Sequence, residues 1–421
     1  MKTRLFTQRA ILPRVLEAIH DSPILLIHGP RQSGKTTLAK HVGEAEGYFY
    51  ISFDQEIQRS AAQADPVGFV AELPERVILD EIQRVPELLP SLKLAVDEDR
   101  TPGRFILTGS ANVLFVPTLS DSLAGRISFL RLHPFSQAEL ETHPGTLMDE
   151  ILRGGIRAGQ CGRRLGKELA ERITAGGFPP ALARSTPRRK ADWYRDYVET
   201  LIQRDIRDLA NISSMEALPR LLTMAAGQTA KLVNISQLAA PFQISRPTIR
   251  EYLTLLSRIF LLEETPPWHH NRLSRLIKTP KLHLGDTGLA CALLNVNADR
   301  LWEDRPLFGQ LLETFVFQEL RRMAGSREER IVFSHFRDKD QSEVDIVLEW
   351  DGKIAAVEVK TAATVTSKDF KGLRKLQQAA GASFARGLVL YDGETVVPFG
   401  PALYAVPISR LWEASKPSKR Y

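Results

Sequence analysis

Gly29-Pro30-Arg31-Gln32-Ser33-Gly34-Lys35-Thr36 has the spacing of a phosphate-binding loop, Gly-x4-Gly-Lys-Thr. The apolar run Ile24–His28 precedes it, and the helix-forming stretch Thr37-Leu38-Ala39-Lys40 follows. Strand, glycine loop and helix in that order let backbone N–H groups turn inward around phosphates. The positive end of the helix dipole then points at the same anion. In this arrangement Lys35 reaches the β- and γ-phosphates, the Thr36 hydroxyl ligates Mg2+, and residues 29–37 (Gly29 through Thr37) form the nucleotide contact.

Around this loop, Tyr48–Phe53, Val77–Leu79, Phe105–Thr108 and Ile127–Leu132 read as further short apolar strands separated by helical stretches. That pattern predicts an α/β layer fold with a parallel sheet. Val77-Ile78-Leu79-Asp80-Glu81 is a strand ending in two carboxylates. Asp80 is placed to hold Mg2+, directly or through water, and Glu81 to polarise the attacking water as general base. The strand Phe105-Ile106-Leu107 ends in Thr108-Gly109-Ser110-Ala111-Asn112, whose small polar groups would sense the γ-phosphate or orient water. Arg126, after Leu123-Ala124-Gly125, has two readings. It stabilises transition-state charge on a neighbouring subunit's nucleotide, or it forms a surface ion pair.

These stretches resemble the AAA-type ATPases that carry a C-terminal domain of unknown function, the DUF4143 family. The likeness rests on residues 29–36, Leu-Asp-Glu-Ile-Gln-Arg-Val-Pro-Glu-Leu (79–88), Leu-Thr-Gly-Ser (107–110), Leu-Ala-Gly-Arg (123–126) and Leu-His-Pro-Phe-Ser (132–136). Gly-Gly-Phe-Pro (176–179), Gln-Arg-Asp-Ile (203–206) and Asp-Thr-Gly-Leu (286–289) extend it along nearly the whole chain. The resemblance implies an additional-strand (ASCE) P-loop ATPase that uses ATP and Mg2+.

Beyond residue 136 the strand runs give way to helix formers punctuated by Gly154-Gly155 and Gly176-Gly177-Phe178-Pro179-Pro180. Arg184, Arg188, Arg189 and Lys190 read as a basic loop. Ile235–Ala239 reads as a first helix and Phe242–Ser245 as a turn. Ser245 caps a second helix with Pro247 in its first turn and Ile249, Tyr252, Leu253 and Leu256 on its apolar face. Arg246, Thr248, Arg250 and Thr254 face out, and Phe260–Glu264 begins a wing. The unit looks like a winged helix-turn-helix whose second helix enters a DNA major groove. The acidic Glu263 and Glu264 oppose that use, and a lid or oligomer contact is the alternative.

A last constellation lies near the C-terminus. Glu343–Trp350 and Ile354–Lys360 read as strands joined by the hairpin turn Asp351-Gly352. An antiparallel hairpin brings Asp345 to the end carrying Glu358 and Lys360, which share a face. With Glu313 from the helix Leu307–Met323, these carboxylates would bind Mg2+ or Mn2+ for phosphodiester attack. Lys360 would position the water or stabilise developing charge. The set resembles the PD-(D/E)xK nuclease superfamily, although Val344 stands where a proline often precedes the aspartate. His269, His270 and His283 lack metal-ligand spacing and read as solvated or packed; the cluster Trp268 to Arg272 reads as loop packing.

Composition sets the frame. The chain has 421 residues, 43% hydrophobic and 25% charged, with net charge +6. It is long enough for several domains and permits a polyanionic partner. The boundaries expected are an N-terminal helix (1–20), the P-loop domain (21–140), a helical lid or linker (141–212), the winged helix-turn-helix (213–268) and a restriction-endonuclease-like α/β domain (280–421). Two distant cysteines, Cys161 and Cys291, argue against a disulfide framework and suit a reducing cytoplasm. The sequence has no apolar run long enough to span a bilayer. The partners expected are nucleic acid, DNA first, and a second copy of the chain. The rival reading is a nucleotide-gated protein-interaction module with an inert nuclease-like fold.

Overall fold

The computed structural model describes residues 7–110, 125–142, 145–159, 161–206, 215–269 and 279–413. Ala111, Asn112, Leu123, Ala124, His270, Asn271 and Arg272, named above, lie outside the described residues. The chain divides into two compact units: residues 1–135 with 258–260, and residues 136–257 with 261–421.

The first unit runs α1 (Leu12–Asp21), β1 (Ile24–His28), α2 (Lys35–Glu46), β2 (Phe49–Ser52), α3 (Glu56–Ala64), α4 (Pro66–Ala71), β3 (Val77–Asp80), α5 (Leu88–Glu98), β4 (Phe105–Gly109) and β5 (Ile127–Arg131). The strands form one parallel sheet in the order β2-β3-β4-β1-β5. Each residue of β1, β3 and β4 is buried because helices cover both faces. Alternation along the strands explains how. Leu26, Leu79 and Leu107 pack with Val70, Leu88 and Leu92 of the α4 and α5 layer. Leu25, Ile27, Ile78 and Ile106 face the opposite way, toward Val15, Ile19, Leu38 and Val42 of α1 and α2. The strand that follows α5, β4, lies between β1 and β3, so an additional strand separates the phosphate loop from the acidic strand end.

The second unit begins with helices α6 (Gln137–Leu140), α7 (Leu147–Arg153), α8 (Lys167–Ala175), α9 (Pro179–Leu182) and α10 (Pro187–Thr200). The stretch Arg188–Lys190, expected as loop, is therefore helix. Pro187 stands at the helix start, and the Thr186 hydroxyl caps it by accepting from the Arg189 N–H at 3.3 Å. Then come α11 (Ala217–Gly227), β6 (Lys231–Leu232), α12 (Ile235–Ala239), α13 (Arg246–Arg258), β7 (Leu262–Thr265) and β8 (Lys281–Leu284). These strands form a small antiparallel sheet in the order β6-β8-β7. The final stretch holds α14 (Thr287–Leu293), α15 (Ala298–Glu303), α16 (Arg305–Gly325), β9 (Val332–Arg337), β10 (Glu343–Trp350), β11 (Lys353–Lys360), α17 (Lys371–Ala380), β12 (Phe384–Tyr391), β13 (Val397–Gly400) and β14 (Leu403–Pro407). Its six-stranded mixed sheet has the order β13-β14-β12-β11-β10-β9. Asp351 and Gly352, with φ of 42° and 73°, make the tight turn between β10 and β11. Among the described residues no helix is long and apolar enough to cross a membrane.

Two sequence motifs without assigned chemistry meet in one buried lock. Asp286 is fully buried and caps α14 by accepting from the N–H groups of Gly288 and Leu289. It also accepts from the Gly177 N–H at 2.8 Å and the Tyr194 hydroxyl at 2.9 Å, and pairs with Arg322 at 3.2 Å. A Cβ on Gly176 would lie 2.1 Å from the Tyr194 hydroxyl oxygen, so the lock demands glycine there. Gly176-Gly177 and Asp286-Thr287-Gly288 thus join α8, α10, α14 and α16. Removing the carboxylate with Asp286→Ala leaves the buried Arg322 guanidinium with Glu319 in place of two carboxylates and takes the acceptor from the buried Gly177 and Gly288 N–H groups, and is expected to cost about 3–5 kcal/mol. Urea unfolding of the second unit's tryptophan fluorescence checks this; an unshifted midpoint contradicts it.

Candidate functional site

At the carboxyl end of β1 the chain turns through Gly29, whose φ of 150° and close approach to Leu132 exclude a side chain: a Cβ would lie 2.1 Å from the Leu132 carbonyl oxygen. Gln32 and Gly34 take left-handed backbone, with φ of 61° and 102°. The loop then enters α2 at Lys35. The Lys35 side chain is buried and its ammonium donates to the carbonyls of Gly29 and Pro30 at 3.1 and 3.0 Å. Thr37 is exposed one position past Thr36.

Asp80 gathers the site. It accepts from the hydroxyls of Thr36 (2.9 Å), Tyr50 (2.8 Å) and Thr108 (2.5 Å). Thr36 and Asp80 oxygens one hydrogen bond apart suit two adjacent positions on an octahedral Mg2+, whose ligands lie about 2.1 Å away. The donor set is hard oxygen, so these residues fit the ion. Glu81 has left-handed backbone (φ 60°), a strained state for a non-glycine residue, and its N–H donates to Thr108 Oγ1 at 3.1 Å. Its carboxylate accepts from Ser110 Oγ at 3.1 Å and from the Gln83 amide, which also donates to Ser110 Oγ at 2.9 Å. Thr36, Asp80, Glu81, Thr108 and Ser110 are therefore brought together as read from the sequence.

Arg126 is not. It precedes β5, at the amino end of the sheet, where Ile127 pairs with Ile24, whereas the loop leaves the carboxyl end of β1. Its guanidinium makes a bidentate pair with Asp97 at 2.6 and 3.0 Å and holds the Asp97 carboxyl below its usual range. Three neighbours of the site escaped sequence reasoning. Tyr50 and Gln83 bond Asp80 and Glu81; burial, then its bond to Asp80, pushes the Tyr50 hydroxyl up. Arg9, 5% exposed, donates to the Ser33 carbonyl at 2.9 Å and the His133 carbonyl at 2.6 Å, so it pins the phosphate loop to the end of β5. His28, at the end of β1, is pushed down to about 3 by burial and by Arg131 and Lys35, and stays neutral.

The C-terminal constellation also assembles, with lysine ammonium groups against its carboxylates. Asp345 Oδ2 accepts from the Val359 N–H at 2.9 Å, and Lys360 donates to Glu358 Oε1 at 2.9 Å. Between Glu313 and Asp345 stands a residue the sequence reading passed over. Lys281 of β8 is 5% exposed and lies 2.6 Å from Glu313 and 3.5 Å from Asp345. Burial acts to lower the Lys281 ammonium, but Glu313 and Asp345 outweigh it and the net shift is upward. Among the described residues no three His, Cys, Asp or Glu side chains are disposed to hold a metal ion. A metal bridging Glu313 and Asp345 does not fit these residues as they stand, because the Lys281 ammonium already serves as their counter-ion; Glu358 Oε1 takes Lys360, and Glu358 Oε2 is buried with no hydrogen-bond partner among the described residues. His283, stacked on Phe317 at 4.2 Å, is packed as expected.

Burial, then the nearby Asp345 carboxylate, pushes Glu358 up to about 8. A carboxyl raised in the fold stabilises fully below its unfolded value near 4.5, and that contribution is lost as pH rises through about 8. Glu358→Gln, which cannot ionise, is expected to lose less stability than wild type between pH 5 and pH 9. Equal losses in paired urea titrations contradict the assignment.

Three family models match parts of the chain. Residues 21–141 match a family model described as AAA domain, residues 166–300 a domain of unknown function (DUF8612), and residues 308–411 a domain of unknown function (DUF4143). The uncharacterized protein Rv2008c of Mycobacterium tuberculosis is 28% identical over 410 residues, covering 97% of this chain and 85% of that protein. The uncharacterized protein MJ1544 of Methanocaldococcus jannaschii is 23% identical over 325 residues, covering 74% and 69%. Among solved structures, the Walker-type ATPase paby2304 of Pyrococcus abyssi aligns at TM-score 0.37 and 18% identity, covering 67% of this chain and 94% of that one. The RuvB Holliday junction branch migration motor of Thermotoga maritima aligns at TM-score 0.27 and 21% identity, covering 61% and 87%. The N-terminal unit carries an AAA-domain match on a parallel-sheet, P-loop ATPase-like fold, which suggests nucleotide binding and hydrolysis.

Proposed function

We propose that this protein binds and hydrolyses ATP at the carboxyl end of its parallel sheet and couples that cycle to a nucleic-acid partner. The observation that carries the ATPase reading is the Thr36–Asp80–Thr108 hydrogen-bonded set beside buried Lys35, with Glu81 held by Ser110 and Gln83. The loop amides and the α2 dipole bind the phosphates, and Lys35 turns from the loop carbonyls toward them. Mg2+, held by Thr36 and Asp80, supplies charge neutralisation when bound. Glu81 polarises a water for attack on the γ-phosphorus, with ADP leaving. Arg126 lies at the far end of the strands, so any part it plays belongs to a second copy of the chain. Sedimentation showing only monomer with and without ATP removes Arg126 from the site.

Steady-state phosphate release tests the reading. Lys35→Ala is expected to lower turnover at least 100-fold (order of magnitude). Glu81→Gln is expected to bind ATP normally and lose turnover to a similar degree. Wild-type turnover in Lys35→Ala contradicts the assignment.

The nucleic-acid reading draws support from α13, whose Ile249, Tyr252, Leu253 and Leu256 are buried while Arg246 and Arg250 are exposed. Arg250 also pairs with Glu264 at 2.8 Å, which restrains it. Duplex DNA binding is expected to weaken with salt, and Arg246→Ala to reduce the log–log salt slope by about 1. Salt-independent binding removes DNA from the proposal and leaves the ATPase. For the C-terminal domain, the ammonium of Lys281 between two carboxylates favours the second reading, a module that binds its partner rather than cutting it.

A further inference from the structure

Two carboxyl groups buried side by side need a proton or a cation between them. Glu313 on α16 and Asp345 on β10 are such a pair: burial, then the Asp345 charge, pushes Glu313 well above the usual carboxyl range. A hard divalent cation is the ordinary solution for this geometry. Here the chain supplies its own. Lys281 reaches in from the first position of β8, 32 residues before Glu313 and 64 before Asp345, and places its ammonium 2.6 Å and 3.5 Å from them. The other oxygen of Asp345 is taken by the Val359 N–H, and Glu358 Oε1 by Lys360, while Glu358 Oε2 is buried with no hydrogen-bond partner among the described residues. A dication bridging Glu313 and Asp345 would stand against the Lys281 ammonium at contact distance.

We infer that Lys281 is the resident cation of the Glu313–Asp345 pair, standing where a divalent metal would bridge them, and that removing its ammonium turns the pair into a divalent-cation site. The Glu313–Asp345 pair of the wild-type chain thereby takes no divalent metal, and β8 of the small antiparallel sheet is tied by charge to α16 and β10 of the last domain. The inference rests on the reading of that domain as a binding module and is independent of the ATP site.

The test uses the full chain without nucleotide, with Mn2+ as probe, followed by electron paramagnetic resonance and by thermal unfolding. Four proteins are compared: wild type, Asp345→Asn, Lys281→Met, and Lys281→Met with Asp345→Asn. Wild type and Asp345→Asn are expected to bind Mn2+ alike. Lys281→Met is expected to bind one further Mn2+ and to gain several degrees of melting temperature from it. Asp345→Asn in that background abolishes both gains. Mn2+ binding by the wild-type chain that is lost in Asp345→Asn overturns the inference, and this comparison needs no folded Lys281 variant. A folded Lys281→Met chain that gains no Mn2+ overturns it as well, and Lys281→Gln serves where the methionine variant does not fold. Because the signal is referenced to Asp345 and taken without ATP, failure of the ATPase assignment leaves the result intact, and failure here leaves the ATPase untouched.

Discussion

The carboxylate of Asp80 is the point on which the first unit's chemistry depends. It lies at the end of β3 and takes hydrogen bonds from the first turn of α2, from β2 and from β4. Three elements far apart in the chain are therefore registered to one another within hydrogen-bond tolerance. The parallel sheet makes this possible, because every strand ends at the same edge and the helices on both faces leave that edge open. The Thr108 hydroxyl donates to Asp80 and accepts from the Glu81 amide, so the two carboxylates at the end of β3 are set by one group. Preorganisation of this kind is what phosphoryl transfer requires, since catalysis there is positioning and charge stabilisation.

The second unit is organised by buried charge of another kind. Asp286 satisfies two backbone amides of its own helix, the Gly177 N–H, a tyrosine hydroxyl and a guanidinium. Lys281 with Glu313 and Asp345 repeats the principle five residues earlier in the chain, now across β8, α16 and β10. Both clusters are costly to desolvate and costly to break, so they specify how the helices and sheets of this unit meet more than they add net stability.

What the sequence disclosed follows from what is local. Ile24–His28, Val77–Asp80 and Phe105–Gly109 are buried on both faces and read as unbroken apolar runs, and the loop between β1 and α2 has fixed spacing. The carboxylate pair at residues 80 and 81, and Glu358 with Lys360, were visible because strand periodicity alone sets their faces. Arg9, Tyr50 and Lys281 were not, because each enters its site by tertiary approach from a distant segment with no spacing rule to announce it; Gln83 lies only two residues past Glu81, but its reach to both Glu81 and Ser110 depends on β4 lying beside β3. The motifs at 176–179 and 286–289 were visible as motifs, yet their meaning, a glycine forced by an approaching tyrosine and a buried aspartate, exists only in three dimensions. The helix at Pro187–Thr200 was legible in the Thr186-Pro187 pair but masked by the run of basic residues that follows it.

The account stands on Thr36 and Asp80 holding Mg2+ against a nucleotide bound by the loop. Calorimetric titration of ATP with Mg2+ and with EDTA, into wild type and into Thr36→Val, tests that directly. Wild type binding ATP several-fold more tightly with Mg2+, and Thr36→Val binding equally in both, is the predicted result. An undiminished Mg2+ effect in Thr36→Val, or no ATP binding by the wild-type chain, would contradict it.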